Sequence, residues 1–125
     1  MGRHYEHIDS IKGIKKRATK KSPAVRYFTL AAALKNPQAQ LKIADCHKTG
    51  RYFKKSKKKR FEWLLHAANK GLIEAQDLVA ECYEKGRGIK KNDIKAYQWY
   101  KKTAAQGSEL GKAKAEWYEL FNFYK

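Results

Sequence analysis

Residues 67–107 read AANKGLIEAQDLVAECYEKGRGIKKNDIKAYQWYKKTAAQG, and this stretch decides the fold. Shifted by 36 residues, it falls on the chain before it and on itself. Ala67-Ala68 matches Ala31-Ala32, Ala75-Gln76 matches Ala39-Gln40, and Ala80 matches Ala44. Cys82 matches Cys46, Gly86-Arg87 matches Gly50-Arg51, and Lys90-Lys91 matches Lys54-Lys55. One further shift takes Trp63 to Trp99, Ala68 to Ala104 and Gly71 to Gly107. Small and aromatic positions persist while charged positions drift, which is the trace a repeated packing unit leaves.

Each unit reads as two helices. Arg60 to Lys70 sets Phe61, Leu64, Leu65 and Ala68 at helical spacing, with Gly71 as the stop. Ile73 to Lys85 sets Ala75, Leu78, Val79 and Cys82 on one face, with Gly86 as the stop. Asn92-Asp93 offers a cap for a helix from Ile94 to Gln106. Ser22-Pro23 and Asn36-Pro37 each place proline directly after a capping residue, where its missing N–H costs nothing. Ala67-Ala68 and Ala75 mark a seam where two helices approach closely. Trp63 and Trp99 are expected to fill the space between stacked units.

Bulk composition agrees. The 125 residues are 42% hydrophobic with only two prolines, enough for one domain with one core and biased towards helix. The charge is extreme: 29 Lys+Arg against 12 Asp+Glu, a net +17. Such a field attracts polyanions or acidic proteins. No run approaches a membrane span, and no basic amphipathic helix with an exposed apolar face is seen, so no membrane role is expected. The first ten residues lack the apolar core of a secretory signal, and the two cysteines fit a reducing compartment, so a cytoplasmic location is expected.

The run Ala67-Ala68, Gly71, Ala75-Gln76, Val79-Ala80, Tyr83, Gly86-Arg87-Gly88-Ile89, Asp93, Lys95-Ala96, Trp99-Tyr100 and Ala104-Ala105 resembles the Sel-one-like repeat, a relative of the tetratricopeptide repeat. The resemblance implies an all-α fold, a short α-solenoid of stacked antiparallel helical hairpins. It also implies a non-catalytic protein-interaction adaptor. Three regions follow: a basic N-terminal arm or degenerate half-repeat at 1–22, about two and a half repeats at 23–107, and a C-terminal capping helix within 108–125. Gly13-Ile14-Lys15-Lys16 echoes Gly88-Ile89-Lys90-Lys91 and suggests the half-repeat.

Departures from the pattern carry expectations of their own. Tyr52 stands in the place of Gly88, so the first turn is expected to be rebuilt, and Ser56 stands in the place of Asn92. Gly111, Glu116 and Glu119 break the pattern at its end, where the last helix is read from Ser108 to Phe123, with Trp117, Phe121 and Tyr124. A solenoid needs about three stacked units, so this one is self-capped or completed by a partner, with self-association through Trp117 and Phe121 as one route.

Reactive constellations are missing from the sequence. His4 and His7 lack a third ligand, His47 replaces Tyr83 as a packing residue, and His66 reads as solvated. Gly86-Arg87-Gly88 follows a helix rather than a strand, so it is not a phosphate cradle. Cys46 and Cys82, one unit apart, are expected as buried free thiols, because helices pack about 8–10 Å apart, beyond disulfide reach. No catalytic residue, metal or cofactor is expected.

Two binding surfaces remain. A concave face would present Arg26, Leu30, Glu62, His66, Gln98 and Lys102 to an acidic protein partner. Alternatively, a basic nucleic-acid-binding or ribonucleoprotein (ribosome-associated) subunit would use Lys12, Lys15, Lys16, Arg17, Lys20 and Lys21 together with Arg51, Tyr52, Lys54, Lys55, Lys57, Lys58, Lys59 and Arg60. The latter run contains no acid and adjoins Tyr52 and Phe53. Lysine outnumbers arginine in both, and lysine is a point charge rather than a fork.

Overall fold

A computed structural model describes residues 36–121. It contains five helices and no strand among those residues: α1 Pro37–Thr49, α2 Lys57–Asn69, α3 Ile73–Lys85, α4 Asp93–Ala105 and α5 Glu109–Phe121. Each is 13 residues long, or about 20 Å at the usual rise. Among these helices the main contacts are between sequential neighbours. The all-α hairpin stack is the architecture the period implied.

Local chemistry sets the helix ends. Asn36, Ser56 and Asn92 each accept a hydrogen bond from the amide three residues on, at 3.1, 3.1 and 3.0 Å. Ser56 is thus a working equivalent of Asn92, and it starts α2 three residues earlier than the apolar spacing indicates. Gly50 and Gly86 end α1 and α3 in the left-handed conformation, at φ 84° and 71°. Ser56 N–H then donates to His47 O, and Asn92 N–H to Tyr83 O, so the two seven-residue connections share one plan. The connections after α2 and α4 are tighter. Leu72 N–H donates to Ala67 O and Ser108 N–H to Thr103 O, around Gly71 and Gly107.

The first turn is not rebuilt. Tyr52 adopts φ 68°, the only left-handed non-glycine among the described residues, where Gly88 has φ 78°. The left-handed region costs an ordinary side chain about 1–2 kcal/mol, and anchors on both sides hold it there. Phe53 is 2% exposed and stacks on His47 at 5.1 Å, while the Arg51 guanidinium lies 5.1 Å from the Tyr52 ring centre.

The core runs the length of the stack. Ile43, Leu64, Val79, Tyr100 and Tyr118 fill it, and Ala67, Ala68, Ala75, Ala80 and Ala96 let the backbones close. Gly111 makes the tightest approach: an added Cβ would overlap Thr103 Oγ1 and lie 2.7 Å from Ala104 N and 2.8 Å from Tyr100 O. Gly111 stands where the preceding unit has Ala75, and the departure is a packing requirement. Trp63 is buried as expected, but Trp99 is only half-buried and turns its ring to a surface groove.

Polar contacts reach across the stack. Glu84 on α3 accepts from Tyr100 OH at 2.9 Å and from Lys114 Nζ on α5 at 2.9 Å. Ser108 Oγ donates to Asp77 Oδ2 at 2.8 Å, and Tyr118 OH to Asp93 Oδ1 at 3.1 Å. Burial, together with these carboxylate acceptors, pushes the Tyr100 and Tyr118 phenols well above their ordinary value. On α5 the buried side is Gly111, Ala115 and Tyr118. Trp117 and Phe121 lie on its exposed side, and Tyr124 falls outside the described residues.

Candidate functional site

Two surface features gather side chains of binding chemistry. The first lies across α2, α3 and α4, where Leu65, Tyr83, Lys95, Gln98, Trp99 and Lys102 line an open groove of about 300 Å³. Its floor is apolar and aromatic. Two ammonium groups sit over its rings, Lys95 Nζ at 5.6 Å from Tyr83 and Lys102 Nζ at 5.2 Å from Trp99. Cations held on aromatic faces remain available to an incoming carboxylate.

The helical repeat explains this arrangement. Gln98 and Lys102 are one turn apart on α4, so they share a face, and Glu62 and His66 hold the equivalent places on α2. All four are exposed. Glu62 and His66 do not line the groove, whereas Leu65, Lys95 and Trp99, which the charge pattern left aside, do. The signal for them was in the sequence: Trp99 and Lys95 sit at the spacing of one turn from each other on the half-exposed edge of α4. Arg26 and Leu30 lie outside the described residues.

The second feature is a cleft of about 570 Å³ at the start of α2. His47 and Lys48 come to it from the end of α1, Lys55 and Ser56 from the following loop, Lys57 and Arg60 from the first turn of α2. Arg87 arrives from the turn between α3 and α4. That turn is seated by Gly88, whose added Cβ would collide with the Lys57 carbonyl. Lys54 and Lys58 are exposed and Lys59 is half-buried, but none of them lines the cleft. Lys12, Lys15, Lys16, Arg17, Lys20 and Lys21 lie outside the described residues.

Arg60 does not project with the lysines around it. It is 8% exposed, and its Nη1 donates to Cys82 Sγ at 3.6 Å. His47 is 4% exposed, with Nδ1 3.1 Å from Lys54 O and Nε2 buried without a partner among the described residues. Burial lowers its pKa from the ordinary value of 6.5. Both cysteines are free, as expected, but only Cys82 is buried and Cys46 is half-buried. The helix face holding Cys46 is closed less completely by its neighbours. Burial raises both thiols, which disfavours thiolate chemistry.

Among the described residues no group of three His, Cys, Asp or Glu side chains is placed to hold a metal ion. No helix among them is long and apolar enough to cross a membrane.

The Sel1 repeat family model matches residues 1–36, 37–72 and 73–108. In that phase a unit begins with α1 or α3 and closes with α2 or α4. A Sel1 repeat protein from Oxalobacter formigenes is similar at 32% identity and TM-score 0.72, over 91% of this chain and 81% of that one. The protective antigen c5321 of uropathogenic Escherichia coli, which displays an SLR fold, is similar at 22% identity and TM-score 0.76. That match takes in 98% of this chain and 26% of the antigen. Helicobacter pylori cysteine rich protein B is similar at 16% identity and TM-score 0.68, over 90% and 89% of the two chains. No curated protein matches the sequence. The chain belongs to the Sel1 repeat family, whose members generally act as protein-interaction scaffolds and are typically not catalysts.

Proposed function

We propose that this protein is a non-catalytic scaffold that binds an acidic, partly apolar segment of a partner protein on the α2–α4 face. The observation that carries the reading is the groove itself. Leu65, Tyr83 and Trp99 offer apolar contact, and Lys95 and Lys102 stand over the rings as fixed cations. A bound leucine or aromatic side chain would fill the floor while an adjacent Asp or Glu pairs with a lysine. The net charge of +17 would speed and orient the encounter.

The test is a selection from a random peptide library on the immobilised full chain. Enrichment of sequences with acidic residues beside leucine or aromatics is expected, and Lys95→Glu with Lys102→Glu should reverse the charge preference. Selected peptides with no acidic bias, or a bias untouched by the two substitutions, would refute the reading. The rival nucleic-acid reading draws on the exposed lysines between α1 and α2. Its own signature is binding to generic RNA that falls steeply with salt.

A further inference from the structure

The cleft at the start of α2 combines features that a structural role alone does not account for. Five cationic side chains line it, Lys48, Lys55, Lys57, Arg60 and Arg87. Among the described residues no carboxylate lines it. Arg87 reaches Glu81 at 3.4 Å, and Glu81 also pairs with Lys85 at 3.7 Å. Lys48, Lys55, Lys57 and Arg60 have no ion-pair partner there.

Two further observations point the same way. Arg60 is a guanidinium more than nine-tenths buried, whose acceptor is a thiol sulfur, and a buried charge without a counter-charge is costly. The first turn of α2 reads Lys57-Lys58-Lys59 with no acid, the wrong sign for the positive end of a helix dipole. Ser56 Oγ takes the Lys59 amide, and the amides of Lys57 and Lys58 remain as helix donors with no acceptor inside the helix. Both costs would be offset by an anion seated in the cleft.

We infer that the cleft between the α1–α2 loop, the first turn of α2 and the α3–α4 turn is a binding site for a phosphate monoester. A tetrahedral dianion accepts from several directions at once, which suits converging lysines, a guanidinium fork and amides at a helix start. The volume of about 570 Å³ leaves room for the group that carries the phosphate. The lining is a pocket drawn from three separate segments, not a track along the basic run, so it fits one compact anion better than an extended strand. The site is independent of the α2–α4 groove.

The test is an amide chemical-shift titration of the full chain at constant ionic strength. Its probes are inorganic phosphate, phosphoserine, a short phosphoserine peptide with its unphosphorylated form, and a uridine homopolymer. Saturable shifts at Lys57, Lys58 and Arg87 with phosphate and phosphoserine are expected. Lys55→Gln with Arg87→Gln, both exposed, should weaken binding at least about tenfold. Lys70→Gln with Lys101→Gln, the same charge removed elsewhere, should leave it unchanged. A phosphopeptide tighter than phosphoserine identifies a modified protein as the source, and equal affinity identifies a small ester. Both uphold the site. Shifts reproduced by sodium chloride, equal weakening by the two double variants, or response to the homopolymer alone would overturn it.

Discussion

Gly111→Ala sets two effects of opposite sign against each other, and the structure decides between them. In an open helix the change to alanine stabilises by about 0.5–1 kcal/mol. At Gly111 the new methyl would overlap Thr103 Oγ1 and press on Ala104 N and Tyr100 O at 2.7 and 2.8 Å. The last two are main-chain atoms of α4 and cannot rotate aside, so α5 must lift. Overpacking of this kind costs about 1–3 kcal/mol, and lifting also loosens the contacts of buried Tyr118 and Ala115. The expected net loss is about 1–2 kcal/mol. Urea unfolding measures it: with a slope of about 2 kcal/mol per molar, the midpoint should fall by roughly 0.5–1 M. Ala113→Gly, on the exposed side of the same helix, calibrates the propensity part, with an expected loss of about 0.5–1 kcal/mol. A Gly111→Ala protein as stable as the parent, or more stable, would show that α5 does not approach α4 this closely.

Other perturbations follow from the same geometry. Tyr52→Ala and Tyr52→Gly both remove the ring, but only glycine relieves the φ of 68°, so thermal melts should rank Gly above Ala by about 1 kcal/mol. Buried His47 resists protonation, whereas the unfolded chain takes up its proton near the ordinary 6.5. Stability should therefore be full above that pH and fall on acidification through it, and His47→Tyr, which copies Tyr83, should flatten this slope in urea titrations at pH 7 and 5. Tyr100 and Tyr118 stay protonated when free tyrosine ionises at 10, so stability should decline above pH 10, and their phenolate absorbance should rise only together with loss of helical circular dichroism. Removing residues 108–125 would expose Tyr100 and Thr103, now 1% and 0% accessible, and light scattering should detect aggregation; a monomeric, cooperatively folding product would refute a capping role for α5.

The helices were legible because their signals are local and repeated. Capping residues, stop glycines and alanine seams recur at one spacing, and Ile73–Lys85 has the bounds that its apolar face and its glycine indicate. Less legible were places where a neighbour in space sets the meaning of a residue. Tyr52 looks like a broken turn until Phe53 and Arg51 are seen to hold it, and Gly111 looks like a lapse until α4 is seen beneath it. The basic run between residues 51 and 60 divides by orientation: Arg60 turns inward, Lys55 and Lys57 line a cleft, and Lys54 and Lys58 face solvent. Arg87, far away in sequence, completes that cleft because Gly88 allows the next turn to rest against α2. No linear run of charge reveals such a convergence.

The bridges from Glu84 to Lys114 and from Asp77 to Ser108 have a bearing on how the molecule comes apart. In a stack where helices touch chiefly their sequential neighbours, unfolding can proceed by fraying one helix at a time from an end. These two bonds skip over α4 and make the departure of α5 a matter for α3 as well. Amide exchange should accordingly find α3, α4 and α5 opening together as one cooperative block, with α1 and α2 forming a separate one whose protection is set at the α2–α3 junction.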